Sequence, residues 1–214
     1  MGILFHPLDA ILSSRSKVRL LRVLLPLDEA VSAREAARLA GTPLAPSLRA
    51  LSDLASLGTL RVSRLRGQHL YTVNRDNPLV RDGLAPLFEL EAARVSGVYA
   101  RLRESLGAEL AAGSVLTLAV YGSAARGEDK PGSDLDVLVV TRDPEDVMGA
   151  HAALSRAAPE FDREFGLDLA PMVLSRHQLD LQAEARDPVV VELREEARVI
   201  AGLPLDHLSP TFRS

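Results

Sequence analysis

GSAARGEDKPGSDLD, residues 122–136, opens on Gly-Ser directly after an apolar run and closes on Asp-Leu-Asp directly before another. In SDLDVLVV side chains alternate across a sheet, so Asp134 and Asp136 share one face while Leu135 and Val137 take the other. The two carboxylates then lie roughly 7 Å apart along the strand. Ionised and unpaired they repel each other, and a cation between them removes the repulsion. Hard oxygen ligands select Mg2+ or Mn2+ rather than zinc. At the other end of the stretch, Gly122 lets the backbone approach a phosphate closely and Ser123 supplies a hydroxyl. A helix starting near Ser123 would aim free N–H groups at an anion. A phosphate cradle beside paired carboxylates is the equipment of phosphoryl or nucleotidyl transfer.

Outward from this stretch the C-terminal half alternates. SVLTLAVYG reads as a strand, SDLDVLVVT as a second and LDLAPMVLS as a third. Pro171 inside the third implies an edge or a bulge. DPEDVMGAHAALSRAA starts as a helix, with Asp143 as N-cap and Pro144 at the first helical position. Pro159 is expected to end or kink it. SRHQLDLQAEA and DPVVVELREEARVIAGL read as two further helices.

The N-terminal half has a different rhythm. Residues 14–25, 32–41 and 44–57 carry helical spacing. Ser32 and Glu35 form a capping-box pattern, and Gly41 and Gly58 are stops. Leu48, Leu51, Leu54 and Leu57 give the third helix one apolar stripe, and Pro46 must lie in its first turn. TLRVSR and HLYTVN then alternate as two strands joined by LRGQ. Residues 83–110 read as mostly one long helix with Pro86 in its first turn. Its apolar stripe serves core packing or pairing with a second copy.

Composition is that of an ordinary globular chain, 47% hydrophobic and 25% charged. The absence of cysteine excludes disulfides, thiolate zinc sites, Fe–S clusters and a cysteine nucleophile, and fits a cytoplasmic setting. No signal peptide and no membrane span are expected. Residues 1–90 carry 12 Lys and Arg against 8 Asp and Glu, whereas the remainder carries 13 against 21. A basic front and an acidic back suggest two domains with different partners. His6, His69, His151, His177 and His207 form no ligand spacing.

Tyr121-Gly122-Ser123, ten residues, then Asp134-Leu135-Asp136-Val137 resembles the signature of the DNA polymerase β-like nucleotidyltransferases. GSAARG with SDLDVLVV resembles their small bacterial branch, the minimal nucleotidyltransferases, over about residues 90–205. The resemblance implies a third carboxylate on a neighbouring strand, matched by Asp168. It would complete the metal site and act as general base. It also implies that Asp134 and Asp136 hold Mg2+ on a nucleoside triphosphate whose β- and γ-phosphates rest on Gly122 and Ser123. Arg126 either neutralises phosphate charge or bridges to an acidic neighbour such as Glu128 or Asp129. Acceptors in the resembled family include aminoglycosides, tRNA ends and partner proteins such as toxins of toxin–antitoxin pairs.

The stretch from SAREAARLAG to HLYTVN resembles the helix-turn-helix and wing of ArsR/MarR-type bacterial regulators, with Pro46 a departure from their pattern. That resemblance implies a third helix entering DNA with Thr42, Ser47 and Arg49 exposed. Arg64 and Arg66 would reach phosphates or a minor groove. The alternative is that the arginines form a solvated hairpin face. The expected architecture is α+β: a winged helix-turn-helix at 1–82, a connecting helix at 83–110, and a small mixed sheet with helices at 111–214. The expected activity is Mg-dependent transfer of a nucleoside monophosphate to a hydroxyl of a protein, tRNA or small molecule. The rival is a transcriptional regulator whose second domain senses nucleotides without turnover.

Overall fold

The structure, a computed structural model, describes residues 4–185 and 187–208. The chain divides into two units, residues 1–94 and 95–214.

In the first unit α1 (Pro7–Ile11) precedes α2 (Arg15–Leu24), whose N-cap Ser14 accepts from the Lys17 amide. β1 (Val31–Ser32) leads into α3 (Ala33–Leu39), where Ser32 accepts from the Glu35 amide. α4 (Leu44–Ser56) takes Pro46 in its first turn, where a missing N–H costs no helical bond. β2 (Leu60–Leu65) and β3 (Gln68–Val73) form a hairpin. Arg66 and Gly67, at φ 50° and 82°, supply the two left-handed residues that match a tight turn to strand twist. The helix, helix, helix, hairpin order is therefore as read from the sequence. β1, α1 and the pairing of β1 with β3 are additions, too short for periodicity to register. Leu20, Leu21, Leu51 and Leu54 centre the core. Leu48 does not join its helix's apolar stripe: it is exposed, and Ser47, Ala50, Leu51 and Leu54 are the buried set.

The long helix differs from expectation at both ends. A π-helical segment, Leu79–Leu84, precedes α5 (Ala85–Ser105), and Leu106, with φ −110°, separates α5 from α6 (Gly107–Ala111). Leu102 and Leu106 are wholly buried, so packing holds the chain through this break.

The second unit is built on a four-stranded sheet. Its strands are β4 (Val115–Val120), β5 (Leu135–Thr141), β6 (Leu169–Ser175) and β7 (Arg198–Gly202), in the order β6-β5-β4-β7. β5 and β6 are parallel, while β4 runs antiparallel to both β5 and β7. α7 (Gly122–Arg126) follows β4, and α8 (Asp146–Phe165) carries the crossover from β5 to β6. α9 (Arg176–Glu184), α10 (Pro188–Glu196) and α11 (Leu205–Leu208) complete the unit. Pro171 lies on an edge strand, where its missing N–H breaks no ladder.

The central strands are buried on both faces. Val137 and Val139 pack with Leu102, Leu154 and Phe161 on one side. Leu138 and Val140 pack with Leu179, Leu193 and Leu205 on the other. By alternation Asp136 belongs to this second face, the one that α9 and α10 cover.

Two readings of helices are corrected. α8 begins at Asp146 with Glu145 as N-cap, and it runs through Pro159 to Gly166 instead of ending there. Phe161, wholly buried, and its ring contact with Phe165 at 5.7 Å hold the turn beyond the proline. ARVIAGL is not helical: residues 198–202 form β7, because β4 has a free edge to pair. Gly202, at φ +85°, lies so close to the Leu116 carbonyl that no side chain fits. Among the described residues no helix is long and apolar enough to cross a membrane.

Candidate active site

The site forms where β4 ends and β5 begins. Tyr121 breaks from β4, its amide donating to the Asp136 carbonyl at 3.1 Å, and serves as N-cap of α7. The expected helix at the Gly-Ser pair is therefore present. Gly122 is buried with φ +67°, and Asp136 fills the place where its side chain would begin. Ser123 is half-buried beside it. The loop from Gly127 to Asp134 then returns the chain to β5.

Asp134 is exposed one residue ahead of β5, and Asp136 is half-buried within it. The parallel register pairs Leu135 with Leu169 and Asp136 with Ala170, which sets Asp168 level with Asp134. The Leu135 amide donates to the Asp168 carbonyl at 2.7 Å, forming the first rung of that ladder. Asp134 and Asp168 thus each lie one residue ahead of neighbouring parallel strands, and Asp136 is the second residue of β5. As the side chains stand, no group of three or more His, Asp or Glu among the described residues is disposed to hold a metal ion.

Electrostatics marks Asp136 as the strained member. Burial, then the charges of Asp134 and Glu192, push its carboxyl above the ordinary carboxylate value, and Arg126 acts the other way. The Tyr121 phenol is raised by burial and by Asp136 and Glu192. A carboxylate whose neighbours are mostly anionic calls for a cation. The donor chemistry, carboxylate oxygens beside a glycine whose Cβ position the Asp136 side chain fills, fits a hard divalent ion.

Arg126 is engaged by carboxylates. Its Nε donates to Glu128 at 2.9 Å, and its guanidinium pairs with Glu196 and approaches Glu192 at 3.9 Å. The bridge to Glu128 is one of the two roles read from the sequence. Glu192 and Glu196 were not identified there. Their spacing of four on α10 puts both on one helix face, but nothing in the sequence names the face they meet.

The candidate nucleic-acid residues lie in the first unit and divide sharply. Ser47 is wholly buried, its hydroxyl donating to the Pro43 carbonyl at 2.8 Å and sharing a 2.7 Å bond with Thr42. The expectation of an exposed Ser47 is therefore corrected: it ties down the start of α4, and half-buried Thr42 turns toward it. Arg49, Arg64 and Arg66 are exposed, and the Arg64 Nε donates to His69 at 2.9 Å. α4 instead turns Leu44 and Leu48 outward, into a groove of about 500 Å³ shared with Arg34, His69 and Tyr71.

Residues 100–203 match the family described as nucleotidyltransferase domain. The matched span contains β4 through β7 and all the carboxylates above. The match supports a transferase enzyme, and the α+β second unit fits a polymerase β-like fold. Domains of this family generally use divalent metal ions. No curated protein matches the chain. Among solved structures, one described as "Crystal structure of the toxin-antitoxin with AMP-PNP" is similar at 14% identity and a TM-score of 0.34, covering 50% of this chain and 76% of that one.

Proposed function

We propose that the second unit transfers a nucleoside monophosphate from a nucleoside triphosphate to a hydroxyl acceptor. The observation that carries this reading is the fit of Gly122 against Asp136 within a matched nucleotidyltransferase domain. The Gly122 backbone lies directly beside the Asp136 carboxylate, which supports a turn that serves phosphate and metal together. Asp134 and Asp136, with Asp168 level with Asp134, are the residues that would hold Mg2+ or Mn2+. Such an ion supplies positive charge against the triphosphate.

Gly122 and Ser123 receive the β- and γ-phosphates, and Arg126 adds charge-assisted hydrogen bonds to them. Asp168, the exposed carboxylate of the three nearest the edge strand, takes the proton of the acceptor hydroxyl. The acceptor oxygen forms a bond to the α-phosphorus, the bond to the β-phosphate oxygen breaks, and pyrophosphate leaves.

The first unit supports an accompanying reading as a winged helix-turn-helix that contacts DNA. Exposed Arg49, Arg64 and Arg66 favour phosphate contacts, while the outward Leu44 and Leu48 and the buried Ser47 disfavour base reading by α4. DNA binding through the hairpin would couple the transferase to gene control.

Incubation with Mg2+ and each α-labelled nucleoside triphosphate tests the activity. Transfer of label to protein, tRNA or small molecules, with pyrophosphate released, supports the enzyme. Nucleotide binding without any turnover favours a sensor.

A further inference from the structure

Arg126 ends α7, three residues beyond Ser123, yet its guanidinium is directed into carboxylates of this chain. Glu128 accepts from Nε at 2.9 Å, Glu196 accepts from the other arm, and Glu192 stands 3.9 Å away. Glu192 and Glu196 lie one turn apart on α10, which packs on α7. The side chains of Arg126 and Glu196 are 38% and 25% exposed, so the pair is open to exchange with an incoming anion. Three carboxylates surround one guanidinium, which is therefore neutralised before any nucleotide arrives.

Resting on the nucleotide site described above, we propose that Glu196, backed by Glu192, is a positioning residue that competes with the triphosphate for Arg126. In the free protein α10 holds the guanidinium. On nucleotide binding the guanidinium passes from Glu196 to phosphate oxygens, which match its planar fork and carry more charge than one carboxylate. Partly exposed ion pairs are weak, so the exchange is affordable and shifts the binding equilibrium only about two- to fivefold.

Calorimetry with Mg2+ and each of the four ribonucleoside triphosphates first identifies the tightest binder, which then serves as probe. Glu196→Gln is expected to lower its Kd about two- to fivefold, with KM falling in step and kcat changing less. Arg126→Gln raises the Kd, and adding Glu196→Gln to that background restores nothing. Glu196→Asp keeps the charge and binds as the unaltered protein does. Glu192→Gln shifts the Kd in the same direction by less, and it replaces Glu196→Gln if that variant melts early.

An unchanged or weaker affinity in Glu196→Gln would overturn the proposal, leaving the pair a structural clasp. An equal gain in the Arg126→Gln background would also overturn it, since the effect would then be plain charge repulsion. Absence of binding by the unaltered protein defeats the nucleotide site itself and this inference with it. Binding that is indifferent to Glu196 defeats the inference alone.

Discussion

Gly122 and Asp136 are fitted to each other: a Cβ at position 122 would lie 3.2 Å from the Asp136 Cγ and nearer still to its Oδ2. The glycine therefore serves the carboxylate's position. The loop after β4 and the start of β5 form one unit through this contact and through the Tyr121 amide bond to the Asp136 carbonyl.

Gly122→Ala meets both a left-handed backbone and a carboxylate. It is expected to cost about 1–3 kcal/mol of stability and to displace Asp136, removing measurable nucleotide binding. Gly127→Ala is the control: its φ is +73° but nothing lies near its Cβ, so only the backbone cost of about 1 kcal/mol remains. Thermal melts and calorimetry on both variants separate the two effects.

Asp136→Asn removes a carboxylate whose ionised form is disfavoured by burial and by Asp134 and Glu192. The metal-free protein should gain a few tenths of a kcal/mol in denaturant titration while transfer falls by roughly 100-fold or more. Lower stability in chelator would show that the carboxylate is held by favourable partners instead.

Replacing Arg64 and Arg66 together by Ala should reduce the slope of log affinity for duplex DNA against log salt by about 2. Ser47→Ala should leave that slope unchanged and cost about 1 kcal/mol of stability, because the Ser47 hydroxyl bonds only within the fold. An unaltered slope in the arginine variant removes the hairpin from the DNA reading.

The Arg22 guanidinium meets Glu91 at two points, 2.8 and 2.7 Å, and holds that carboxyl below its ordinary value, mainly through the hydrogen bonding. A lowered carboxylate pKa adds stability above the unfolded-state value and loses it as pH falls through the folded one. Both side chains are 46% exposed, so solvent screening keeps the contribution below about 1 kcal/mol. Glu91→Gln should therefore be slightly less stable than the unaltered protein at neutral pH and equal to it in acid, in melts across that range.

The site was legible in the sequence where short-range rules apply. Alternation predicts that Asp134 and Asp136 share a face, and of the edge or bulge that Pro171 implied the structure has the edge, with β6 at the side of the sheet. Rules of that kind failed where tertiary packing decides. Residues 198–202 follow a helix rich in Glu and offer only a five-residue strand, so no period distinguishes them from its continuation. Pro159 stops a helix in isolation but not one whose next turn buries Phe161. Ser47 was read as exposed, yet it lies one turn before Leu51 on the buried face of α4, where Thr42 and the Pro43 carbonyl bond its hydroxyl. Glu192 and Glu196 lie about 70 residues from Arg126, beyond any local pattern.

The central claim is that the carboxylates at the start of β5 and the Gly-Ser turn together bind a metal–triphosphate complex. Calorimetry of each nucleoside triphosphate with Mg2+ or Mn2+, repeated in chelator and with Asp136→Asn, tests it most directly. The account predicts binding of at least one triphosphate that disappears in chelator and in the variant. Triphosphate binding of equal strength with and without the divalent ion, or in the Asn variant, would contradict it.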